Sequence, residues 1–116
     1  MSVESLIFDT LKTLASNRVY PDIAPANTTR PYITYQQIGG SGVNFVDPTV
    51  PSKKNSRFQI NVWDDTRLSC ATIAGQVEDA LRAATSLHTT VLSAPVASYE
   101  VETGLRGSRQ DFGFWQ

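Results

Sequence analysis

The chain has 116 residues and a formal charge of −1, with 41% hydrophobic and 18% charged residues. That length suits one domain of ordinary size, burying roughly 65% of its unfolded surface and leaving little room for a second. The near-zero charge argues against a dedicated nucleic-acid binder, and a charged fraction under the usual roughly 25% excludes a disordered charged tail and leaves surface for neighbours to cover. Residues 2–16 are predicted as an amphipathic helix. Val3, Leu6, Ile7, Leu11 and Leu14 recur at helical spacing, Ser2 supplies a cap and Asn17 a stop. From Val19 to Pro31 the prolines at 21, 25 and 31 dictate an extended segment that cannot continue the helix.

Tyr32 to Ile38 is rich in β-branched and aromatic residues and is predicted as a strand. Gly39-Gly40-Ser41-Gly42 breaks it and opens a long loop to about Asn55, carrying Pro48 and Pro51. Long loops without secondary structure in small domains are mostly functional or disordered, so this one, with Phe45, Lys53 and Lys54, is a candidate interaction element. Arg57 to Trp63 alternates cleanly: Phe58, Ile60 and Val62 form the expected core face, and Gln59, Asn61 and Trp63 the opposite one.

Asp64-Asp65-Thr66 is an N-cap cluster for a second helix from about Arg67 to Ala84. Its apolar stripe is Cys70, Ile73, Ala74, Val77, Leu81 and Ala84, with Glu78 and Asp79 outward and Gly75 allowing close approach to a sheet. After a polar break at 86–93, a strand over Ala97–Leu105, a turn over Gly104–Ser108 and a short last strand over Gln110–Trp115 complete the chain. The predicted fold is α+β. Two helices pack on one face of a four-stranded, mainly antiparallel sheet in the order α-β-β-α-β-β, within a single domain spanning 1–116. The other face, with Trp63, Gln59 and Asn61, is left bare in a monomer and is expected to meet partners.

Chemistry is sparse. Cys70 stands alone, so it forms no internal disulfide and no cysteine-based metal cluster. His88 sits in a Ser/Thr-rich break with no nucleophile-elbow spacing around it. Adjacent acids such as Asp64-Asp65 point to different sides, and the glycine run lacks the lysine and following helix of a phosphate loop. Glu100 and Glu102 share a strand parity, suited to solvent or to a neighbouring subunit's cations. Lys53, Lys54 and Arg57 form a basic cluster fit for an acidic neighbouring protein or weak phosphate contact. Trp63 and Trp115 are either core or interface anchors. No catalytic, metal or cofactor residue is assigned. The interface candidates are Trp63, Gln59, Asn61, Phe45, Lys53, Lys54, Arg57, Arg106, Arg109 and Trp115. No secretory signal or membrane-length apolar run is visible, so a chain made in a reducing cytoplasm is expected.

A resemblance adds to this. Arg18-Val19-Tyr20-Pro21 with Pro25, Pro31-Tyr32-Ile33-Thr34-Tyr35-Gln36, Phe58-Gln59-Ile60-Asn61-Val62-Trp63, the helix through Val77-Glu78-Asp79-Ala80-Leu81 and the C-terminal aromatic strand stand in a distinctive order. Together they resemble the small tail-completion proteins of long-tailed bacteriophages, also called tail terminators or tail-to-head joining proteins. The resemblance implies a structural virion protein, assembled as a ring (a hexamer) that caps the tail tube. It further implies partners in the tube protein and the head-side stopper of the neck, DNA passing through the lumen, no membrane, and no active-site residues. Another neck or tube component, or a small cytosolic enzyme or ligand-binding domain, are the alternatives.

Overall fold

The computed structural model describes residues 2–116. Helix α1 (Val3–Leu11) starts where Ser2 Oγ accepts from the Ser5 amide, and a 3-10 turn over Lys12–Ala15 extends it. Ser16 and Asn17 then take positive φ and reverse the chain. The predicted helix over 2–16 is thus an α-helix of nine residues with a tightened end. Helix α2 (Arg67–Ala83) begins at Thr66, whose Oγ1 accepts from the Ser69 amide at 3.2 Å. Asp64 completes the cap by accepting from the Asp65 amide and the Ser69 hydroxyl.

The sheet has six strands, not four. They are β1 (Val19–Pro21), β2 (Tyr32–Gly39), β3 (Asn55–Asp64), β4 (Thr90–Val91), β5 (Val96–Glu100) and β6 (Leu105–Trp115). The spatial order is β1-β2-β3-β6-β4, with β5 also on β6. Pairing is antiparallel except for β1, which runs parallel to β2. The two extra strands are very short and escape a sequence pattern: β1 ends on Pro21, which cannot donate to a ladder, and β4 lies in the polar break.

The C-terminal hairpin also turns earlier than its glycines suggest. Gly104, at φ 71°, ends a tight turn whose amide donates to the Glu100 carbonyl, so β5 stops at Glu100 and β6 runs unbroken through Gly107. That length lets β6 pair with every residue of β3, from Asn55↔Trp115 to Asp64↔Arg106.

The core is built between the helices and one sheet face. Ile7 and Leu11 of α1 and Cys70, Ala74, Val77 and Leu81 of α2 meet Ile33, Tyr35, Phe58, Ile60, Val62, Phe112 and Phe114. The Phe58 and Phe114 rings lie 5.8 Å apart, and Phe112 stacks on Phe114 at 6.3 Å. The expected face Phe58/Ile60/Val62 is the buried one. Gly75, in contrast, is exposed on the outer side of α2, with open space where a Cβ would stand. Small alanines, not this glycine, set the helix–sheet distance.

Glu78 is not simply outward. Its carboxylate accepts from Gln110 Nε2 at 2.8 Å and pairs with Arg82 Nε at 3.2 Å, while Gln110 also donates to the Ser93 carbonyl. The hydrogen bonds from Gln110 and then Arg82 hold the Glu78 carboxyl below its ordinary range. Arg67 fastens the start of α2 by donating to the carbonyls of Gly107 and Ser98 at 2.9 and 2.7 Å.

Candidate functional site

Strand alternation and register determine which side chains share the face turned away from the helices. On β3 these are Asn55, Arg57, Gln59, Asn61 and Trp63; opposite them stand Tyr32, Thr34 and Gln36 of β2, and Gly107, Arg109, Asp111, Gly113 and Trp115 of β6. Six of the ten predicted interface residues therefore fall on one surface: Trp63, Gln59, Asn61, Arg57, Arg109 and Trp115. No helix covers it.

This face is concave. The segment 22–30 rises along one side and β5 with its turn along the other, leaving a trough of about 670 Å³. Its floor is polar and aromatic, from Tyr32, Thr34 and Gln36 across Gln59, Asn61 and Trp63 to Arg109. The wall at 22–30 is held in place by Arg30, which pairs with Asp65 at 2.6 Å and donates to the Thr103 carbonyl at 3.1 Å. Trp63 is half-buried and lies flat. Its Nε1 donates to Thr34 Oγ1 at 3.3 Å, and its ring stacks on Tyr32 at 6.4 Å. Across the strand pair it rests on Gly107, where a Cβ would come within 2.9 Å of Trp63 Cζ3. Gly107 is thus small because an indole occupies its place. Burial first, then the Glu100 carboxylate, pushes the Tyr32 phenol above its ordinary value.

The remaining candidates separate. Arg57 is engaged within the chain by Asp111 at 2.7 Å, so it is not a free member of a basic cluster. Arg106 lies on the other side of β6, with its guanidinium 3.9 Å from the centre of the Tyr99 ring. Among the described residues, neither Arg109 nor the ammonium groups of Lys53 and Lys54 form an ion pair.

Lys53, Lys54 and Phe45 belong to the segment 40–54, which is a loop throughout and projects as an arm from the β2–β3 end. Its root is specified by backbone geometry. Gly40 has φ 148°, and a Cβ there would lie 2.6 Å from the Asn55 carbonyl oxygen. The Lys54 amide and carbonyl bond the carbonyl and amide of Gln116, and Asn55 Oδ1 accepts from the Ser41 amide. Beyond the root the arm folds on itself, with Asp47 accepting from the Thr49 amide and hydroxyl, bonds that lower the Asp47 carboxyl.

Sequence reasoning missed that Tyr32, Thr34 and Gln36 line the trough and that the extended segment ahead of Pro31 forms its wall. Their membership depends on the β2–β3 register and on Arg30 reaching Asp65 and Thr103, neither of which leaves a local signal. Among the described residues no group of three or more His, Cys, Asp or Glu is placed to hold a metal ion, and no helix is long and apolar enough to cross a membrane. Cys70 is buried against the Val62 carbonyl, and burial raises its thiol.

Comparison with known proteins shows the family. The family model described as tail completion protein gp17 matches residues 9–116, nearly the whole chain. The chain belongs to the tail completion protein gp17 family. It is a structural protein of the bacteriophage tail type, a virion component. No curated protein matches the sequence. The fold is similar to a chain in the virion of a native gene transfer agent particle, with a TM-score of 0.60 and 13% identity, covering 98% of this chain and 93% of that one. The extra strands β1 and β4 and the projecting arm are therefore parts of a tail-completion protein.

Proposed function

We propose that this tail-completion protein forms a ring, a hexamer, that caps the last ring of the tail tube, stops tube polymerisation and presents its opposite rim to the head-side connector. The observation that carries the reading is the family match over 9–116, joined to a bare trough and to an arm whose Phe45, Val46 and Val50 stand exposed. A ring needs two complementary patches on each subunit, because a head-to-tail contact closes when its rotation does. Contacts repeated around the ring turn a modest affinity per subunit into a firm grip on the tube. DNA passes through the lumen, and a net charge of −1 suits a channel that lets it slide.

A polymerisation assay with purified tube protein tests this. The wild-type chain is expected to halt tube growth at substoichiometric amounts and to appear at tube ends. Trp63→Ala, and deletion of residues 42–54, are expected to keep helix content and lose capping. Stacked tubes built of this chain alone would instead make it a tube subunit.

A further inference from the structure

The arm carries apolar surface that serves nothing in its own chain. Phe45 is 53% exposed, Val46 fully exposed and Val50 74% exposed, and Lys53 and Lys54 follow them without ion-pair partners among the described residues. A second patch sets two glutamates beside exposed apolar side chains, with the Arg106 guanidinium over the Tyr99 ring and Glu100 at the rim of the trough. In and beside the β5–β6 turn, Tyr99 and Val101 are 51% and 79% exposed, and Glu100 and Glu102 flank Val101. Among the described residues neither glutamate forms an ion pair.

The two patches lie at opposite ends of the molecule. The arm joins β3 at Asn55, which pairs with Trp115; the turn joins β6 beside Arg106, which pairs with Asp64 at the far end of β3. Ten strand residues separate them by about 30 Å. They cannot meet within one chain. They can meet between two.

We infer that the arm of one copy docks on the β5–β6 turn of the next copy, Phe45, Val46 and Val50 against Tyr99 and Val101, and Lys53 and Lys54 against Glu100 and Glu102. The occupant is a second copy of this chain because charge and apolar surface match patch to patch. Their placement at opposite ends makes the contact heterologous, the type that closes into rings. The inference rests on the ring reading and names the surfaces that build the ring.

Two charge-swapped proteins test it, Lys53→Glu with Lys54→Glu and Glu100→Lys with Glu102→Lys, by sedimentation velocity in low-salt buffer. Unchanged circular dichroism and melting check that each is folded. Each swap alone is expected to associate about tenfold or more weakly than wild type, because like charges then face each other. An equimolar mixture is expected to recover wild-type association, since every contact in an alternating ring is again complementary. If wild type associates while the swaps make no difference, or the mixture fails to recover, this contact is overturned and the ring reading stands. If the swaps spare self-association and instead release the chain from purified tail tubes, the arm belongs to the tube contact and the inference is overturned. A wild type that stays monomeric and leaves tails without a ring overturns the ring reading and this contact with it.

Discussion

Phenylalanine occupies two opposite situations in this protein. Phe58, Phe112 and Phe114 are almost wholly buried between helices and sheet, whereas Phe45 stands half-exposed on an arm that touches little but itself. Burial converts apolar area into folding free energy at about 25 cal/mol per Å², so the first three hold the subunit together and the fourth contributes almost nothing to it. Folding stability thus resides in one region, and the proposed assembly contacts fall in others. The helix-covered side makes the subunit; the arm and the bare trough are free to make contacts. A rod-like outline of 52 × 25 × 24 Å is the geometric trace of that division.

The sharpest way to break the comparison is from the buried side. Phe112→Ala removes a fully buried ring that stacks on Phe114, and is expected to cost about 3–5 kcal/mol in denaturant unfolding. The trough floor comes next. Gly107→Ala drives a methyl group into Trp63 and the Ser98 hydroxyl, at an expected cost of about 1–3 kcal/mol with loss of the native tryptophan fluorescence.

Glu78→Gln is smaller. It weakens the bonds to Gln110 and Arg82 and is expected to cost about 1 kcal/mol. Because the folded protein holds this carboxyl below its ordinary value of 4.5, the Glu78 contribution is present above that pH and lost as pH falls through the lower folded value. Acid unfolding followed by circular dichroism is therefore expected to be shallower in Glu78→Gln. The smallest effect on stability, and the largest on assembly, is expected on the arm. Phe45→Ser should leave the unfolding midpoint within about 0.5 kcal/mol of wild type while capping is lost. A marked drop in stability there would show that the arm is part of the fold.

Much of this division is legible in the sequence. Alternation from Phe58 to Trp63 separates the buried face from the bare one, and the helical stripe through Cys70, Ala74, Val77 and Leu81 fits the same core. The long loop announces itself by its glycines and prolines. What stays hidden depends on pairing across distance. Gly104 and Gly107 look alike as breakers, yet one ends a turn and the other lies within a strand beneath an indole. β1 and β4 are three- and two-residue pieces that exist because long neighbours offer them a ladder. The trough wall at 22–30 depends on Arg30 reaching residues 35 and 73 positions away.

The family assignment also changes the meaning of the residues picked out for interfaces. Gathered on one face, Trp63, Gln59, Asn61 and Arg109 make a coherent surface, whereas Arg57 and Arg106 are engaged internally by Asp111 and Tyr99. Composition marks all of them equally as exposed polar or aromatic residues; register separates them.

Cryo-electron microscopy of tails assembled without this subunit, then incubated with the purified chain, is the most direct test of ring capping. One closed ring of density is expected at the head-proximal end of each tube, its arms reaching from subunit to subunit. Density scattered along the tube, or bare ends at saturating protein, would contradict it.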